Sequence, residues 1–153
     1  IRAKCRRLAN SETGLGLVVI DYLQLVSSGS RRVESRQVEV SEISRALKTM
    51  ALELDVPVIA LSQLSRSAEK RESNQPMLAD LRESGSLEQD ADMVLFINRK
   101  DYYEKAKDFN QKIVPAELII AKHRKGGLGT VNLLFELNML SFKSVLKTNG
   151  DEQ

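Results

Sequence analysis

Leu15-Gly16-Leu17-Val18-Val19-Ile20-Asp21 follows Thr13-Gly14 and closes on an acid. A short apolar, β-branched run of this kind predicts a strand buried on both faces of a parallel sheet. Downstream, Ser27 to Arg36 is polar and rich in Ser and Gly, which reads as a loop. Val40, Ile43, Leu47, Met50 and Leu54 then recur at spacings of 3, 4, 3 and 4, one apolar stripe of a helix. Asp55-Val56-Pro57 stops that helix, because a proline disfavours helical backbone in the residue before it. Val58-Ile59-Ala60-Leu61 predicts a second buried strand ending at Ser62-Gln63. Strand, helix and strand in this order make a right-handed crossover, hence an α/β fold.

Working outward, Ile1 to Asn10 reads as the last turns of a helix. A short helical segment near Met77–Leu81 leads into a loop over Arg82-Glu83-Ser84-Gly85-Ser86, and Met93–Ile97 supplies a third strand for the sheet. Arg99 to Lys112 reads as an exposed excursion. Ala116–Ala121 and Thr130–Phe135 predict a hairpin across the Gly-rich link Lys122–Gly129, and Leu140–Val145 alternates like an edge strand. We expect one domain over residues 1–147 and a disordered tail over 148–153.

Composition narrows the function classes. The 153 residues are 42% hydrophobic and 29% charged, which suits a globular domain and excludes a disordered or fibrous one. No apolar run approaches the ~20 residues that span a bilayer, so no membrane partner is expected. One cysteine and one histidine exclude an internal disulfide and a zinc site, and point to the reducing cytoplasm. With 23 Lys and Arg against 21 Asp and Glu, the net charge of +2 makes any nucleic-acid contact local.

Four places carry polar residues where a strand gives out, the edge at which open α/β sheets bind ligands. Asp21 has the form of a Walker B acid, whose carboxylate meets the water shell of a phosphate-bound magnesium ion; a turn-forming Asp is the equal alternative. Gln63 can hydrogen-bond a phosphate or an attacking water, or simply cap its strand. Lys122, His123, Arg124 and Lys125 beside Gly126 and Gly127 form a basic hairpin able to present a guanidinium to phosphate, or a solvated turn. Arg82, Glu83 and Gly85 lie where backbone amides and one Arg could hold a nucleic-acid phosphate, or in an ordinary connection. Their joint order strengthens each reading.

That order, with Val19–Leu25, Val40–Arg45, Pro57–Arg66, Asp80–Asp92 and Ile119–Arg124, closely resembles the bacterial replicative DNA helicases of the DnaB family. The resemblance runs almost end to end. It covers the second half of that family's motor and implies a RecA-like P-loop NTPase core: α/β, a mostly parallel sheet flanked by helices, with the P-loop strand and helix upstream of these residues. It further implies a homohexamer that hydrolyses ATP with Mg2+ between subunits, moves along single-stranded DNA and unwinds the duplex. Primase and a helicase loader are the expected partners of the full-length protein. Asp21 would be the Walker B acid, holding Mg2+ through water; Gln63 would sense the γ-phosphate. Arg124, with Lys122 beside it, would reach the neighbour's nucleotide as an arginine finger, and Arg82, Glu83 and Gly85 would follow the DNA backbone.

Two departures qualify this. G-x-x-x-x-G-K-[ST] does not occur in these residues, so the chain alone is expected to be inactive, and a non-hydrolysing RecA-like DNA-binding module is the alternative. Lys125-Gly126-Gly127 also stands where family members commonly have Asn-Gly-Pro.

Overall fold

The computed structural model describes residues 1–27, 29, 35–65, 75–99 and 112–145, with backbone alone at 82–85. The expected polar stretch after Ser65, most of the Ser27–Arg36 loop, the Arg99–Lys112 excursion and the tail over 148–153 lie outside the described residues. The chain forms two compact units: Ile1–Ser65 with Leu78–Ala91, and Arg66–Met77 with Asp92–Gln153.

In the first unit the order is α1 (Arg2–Ala9), β1 (Val18–Ile20), α2 (Arg36–Leu54), β2 (Val58–Ala60), a 3-10 segment (Leu78–Ser84) and α3 (Gly85–Asp90). Strands β1 and β2 pair in parallel, Val18 against Val58 and Ile20 against Ala60, as the crossover requires. Helix α2 starts where the Ser35 hydroxyl accepts the Val38 N–H, and it stops at Asp55 in left-handed backbone, just ahead of Pro57. Its stripe buries Val40, Ile43 and Met50. Ile20, Leu23 and Ile43 form the core, with Val18, Val26, Leu47, Val58 and Leu87 packed against it. The expected burial on both faces does not hold: Val19 is 57% exposed and Ile59 53%. These two are register partners, so the outer face of the pair is apolar and exposed among the described residues. The expected loop over 82–86 is also corrected, because Ser84 ends a 3-10 segment and Gly85 and Ser86 open a helix.

The second unit is a four-stranded sheet in the order β3 (Met93–Asn98), β4 (Ile113–His123), β5 (Gly129–Glu136) and β6 (Ser141–Ser144), antiparallel throughout. The expectation of a mostly parallel sheet therefore holds only for β1 and β2. Short turns join β4 to β5 and β5 to β6, and short turns can close only antiparallel pairs. Strand β3 pairs with β4 and does not extend the β1–β2 sheet. One face buries Val114, Ala116 and Phe135, and the other Val94 and Phe96. Phe135 packs against Phe142 with the rings tilted and their centroids 4.7 Å apart, and the Arg99 guanidinium lies 4.4 Å over the Phe135 ring. None of the described helices is long and apolar enough to cross a membrane.

Candidate functional site

Parallel pairing brings the C-terminal ends of β1 and β2 to one edge, and with them Asp21 and Gln63, both exposed. The ladder continues beyond the strands: the Leu61 N–H donates to the Ile20 carbonyl at 2.9 Å and the Leu23 N–H to that of Leu61 at 2.9 Å. The Asp21–Tyr22 peptide is cis.

A residue that sequence reasoning passed over joins the two ends. The Gln24 amide nitrogen donates to the Ser62 hydroxyl at 3.1 Å and the Gln63 carbonyl at 3.3 Å, and its oxygen faces the Gln63 N–H at 3.4 Å. One amide thus grips the backbone of Gln63 from both sides and leaves the Gln63 side chain outward. Arg36 is the second such residue. Its guanidinium donates to the carbonyls of Gln24 at 2.9 Å, Val26 at 3.3 Å and Leu23 at 3.4 Å, and pairs with Glu39 one turn along α2. Only the Gln in the strand-end phrase Asp21–Leu25 could have signalled the first; nothing local signals the second.

Among the described residues no group of three or more His, Cys, Asp or Glu could hold a metal ion. A lone exposed carboxylate at a strand end still suits Mg2+, which keeps several waters and takes its other ligands from phosphate oxygens.

The backbone of Arg82, Glu83 and Gly85 runs through the junction of the 3-10 segment with α3. Its start is tied to the end of β2 by the Ser65 N–H, which donates to the Asp80 carbonyl at 3.1 Å, and Asp80 and Leu81 are buried.

In the second unit, β4 outruns β5. Its last pair with β5 is Ile120 with Gly129, whereas Lys122 and His123 pair only with Val94 and Met93 of β3. Between them the register slips: Leu95 faces Ile120 but Val94 faces Lys122, leaving Ala121 as the extra residue of a bulge. A bulge shifts the alternation of side chains by one, and so re-aims the residues beyond it, Lys122 and Arg124. Lys122 is half-buried and Arg124 exposed. The Arg124 N–H donates to the Asp92 carbonyl at 2.9 Å, and its guanidinium lies 3.7 Å from the Asp92 carboxylate. That pair is half-exposed on both sides, so it holds Arg124 only weakly. The His123 ring occupies the space a Cβ on Gly126 would take, which fixes why the turn carries glycine there.

Known proteins similar to this chain agree in kind. The model of the DnaB-like helicase C-terminal domain matches residues 1–144. Replicative DNA helicase DnaB of Geobacillus stearothermophilus is 62% identical over 135 residues, 88% of this chain and 29% of that protein. Replicative DNA helicase DnaC of Bacillus subtilis is 59% identical over 135 residues, with the same two shares. Among solved structures, an ATPase domain superposes with a TM-score of 0.81 at 48% identity, covering 95% of this chain and 50% of that one. A DnaB-like replicative helicase studied with its interactions with primase gives the same score and identity over 35% of its length. This chain therefore spans less than a third of the curated relatives it matches.

Proposed function

The chain belongs to the DnaB-like helicase C-terminal domain family, and from that premise we propose that it is part of the motor of a replicative DNA helicase, with residues 1–147 in one domain. In the whole protein, a cytoplasmic homohexamer hydrolyses ATP at its subunit interfaces and thereby moves along single-stranded DNA. Primase and a loader act on the full-length ring.

The observation that carries this reading is the shared edge of β1 and β2, where an acid and an amide follow the C-terminal ends of two paired parallel strands. Asp21 would hold a magnesium ion, which would supply charge neutralisation at the phosphates. Gln63, gripped by Gln24, turns its free amide toward the γ-phosphate, where it can orient the attacking water. Arg124, on the bulged end of β4, crosses to the neighbouring subunit's nucleotide, with Lys122 beside it. A planar guanidinium matches the oxygens of a transferring phosphoryl group better than a point charge does. Arg82, Glu83 and Gly85 follow the DNA backbone, which carries the affinity without reading sequence.

The test is ATP hydrolysis by the full-length protein with and without single-stranded DNA. Stimulation by DNA is expected, along with loss of activity in Arg124→Ala and in Asp21→Ala. Mixing the two variants restores part of the rate, because some interfaces of a mixed ring then hold an intact acid and an intact finger. A full-length protein that never hydrolyses ATP overturns the motor and leaves the DNA-binding module.

A further inference from the structure

Helix α2 is joined to α3, the helix that continues the proposed DNA segment, by a pair of hydrogen bonds that the hydrolytic reading does not use. Ser44 is 5% exposed, and its hydroxyl donates to the Asp90 carboxylate at 2.6 Å. One turn earlier the Ser86 hydroxyl donates to that of Ser41 at 2.9 Å. Ser41 spends its own proton on the Gln37 carbonyl at 2.9 Å, so its oxygen is left to accept and the direction of that bond is fixed. Residues 41 and 44 share one face of α2, and 86 and 90 share one face of α3. Leu87, between them, joins the core of Ile20, Leu23 and Ile43. These two polar contacts and the packing of Leu87 against the core help to seat α3 on α2.

The same helix α2 holds the segment after Asp21 from its first residue, through Arg36. Helix α3 is continuous with the 3-10 segment that carries Arg82 and Glu83. So α2 is bonded both to the segment after Asp21 and to α3, alongside the direct bond of Ser65 to Asp80.

We propose that Ser44 and Asp90 are positioning residues for DNA coupling: their bond keeps the Arg82–Gly85 backbone at a fixed place relative to Asp21 and Gln63, so that DNA occupancy is felt at the nucleotide. This rests on the helicase reading above. A carboxylate acceptor makes the Ser44–Asp90 bond the stronger of the two, and burial of Ser44 keeps water from replacing it.

The experiment measures ATP hydrolysis by the full-length protein across a titration of single-stranded oligonucleotide. Ser44→Ala and Asp90→Ala are each expected to raise the half-saturating DNA concentration about fivefold and to lower the ratio of stimulated to unstimulated rate. Asp90→Asn keeps an acceptor for the Ser44 hydroxyl and stays near wild type, whereas a merely electrostatic role would make it as damaging as alanine. The double variant is no worse than either single one, because both remove the same bond. Alanine suits a helix interior, so Ser44→Ala folds; exchange of the α3 amides, read alongside, is expected to quicken in it. Unchanged DNA titrations in both alanine variants, additive losses, or unchanged α3 exchange overturn the proposal. Absence of DNA stimulation in the wild type strikes the helicase reading instead, and the exchange measurement still decides whether the seam holds α3.

Discussion

The two units locate the side chains proposed to act by opposite means. Asp21 and Gln63 follow strands of three residues, too short to fix anything beyond their own ends, and their place depends on side chains reaching in from elsewhere: Gln24, Arg36 and, through α3, Ser44. Lys122 lies at the end of an 11-residue strand, where β3 alone pairs with it, Arg124 follows that end, and a single bulge decides their aim. A site held by a few side-chain hooks fails when one hook is cut. One carried on a ladder tolerates surface changes but is sensitive to its tip. Coupling sites belong to the first kind, since a geometry held by few bonds is one that a ligand can shift.

The largest effect tests the ladder side. Arg124→Ala in the full-length protein is expected to lower the ATP turnover about a thousandfold, the range of a lost arginine finger. Thermal unfolding stays near wild type, because the side chain is exposed and its contact with Asp92 weak. Arg124→Lys recovers little, as an ammonium lacks the fork. A large fall in stability would mean that Arg124 belongs to the fold of its sheet.

The next cuts the core under the hooks. Leu23 is 1% exposed beneath the Asp21 end of β1. Leu23→Ala is expected to destabilise by about 2–5 kcal/mol through the cavity it leaves, read by denaturant titration. Near-native stability would show that the β1–β2 unit draws its order from outside this core.

How much of this was legible beforehand follows the same division. The strand before Asp21, the stripe from Val40 to Leu54, the stop at Pro57 and the hairpin beyond Ala116 all rest on local periodicity and turn chemistry, and all formed, although of the Leu15–Ile20 run only Val18–Ile20 is strand. Periodicity cannot say what lies against a strand, so Val19 and Ile59 read as buried and are not. Ser84-Gly85-Ser86 reads as loop by composition, yet packing of Leu87 draws it into helix. Gln24, Arg36 and Ser44 act on partners 10 to 46 residues away, and the bulge at Ala121 arises from pairing with β3. No window of sequence contains those relations. The roles proposed for Asp21, Gln63 and Arg124 rest on the family pattern, since each residue alone has an ordinary structural use.

A smaller effect sharpens the hook idea. Gln24→Met keeps the length of the side chain and removes both its donor and its acceptor. It is expected to lower turnover about tenfold with little change in the KM for ATP, because the lost bonds hold Gln63 without touching substrate. Gln24→Glu retains the acceptor for the Gln63 N–H and falls between the two. A rise in KM with turnover intact would put Gln24 in nucleotide binding instead.

The smallest concerns a hook on the same helix that serves no site. Glu53 of α2 accepts from Arg2 at 3.1 Å and Arg6 at 2.6 Å of α1, and the two guanidinium groups hold its carboxyl below its usual 4.5. A lowered carboxyl stabilises its folded contacts at pH values above 4.5, and the contribution fades as pH falls through the folded value. All three side chains are partly exposed, so the gain is modest and screened by salt. Hydrogen exchange of α1, taken as the ratio of Glu53→Gln to wild type at each pH so that intrinsic rates cancel, is expected to exceed one near neutrality and to approach one in acid. A ratio that stays constant with pH would mean that α1 is held by the packing of Cys5, the buried residue of that helix, and that its ion pairs only decorate the contact. In that case hooks matter in this unit only where, as at Gln63, no apolar packing stands behind them.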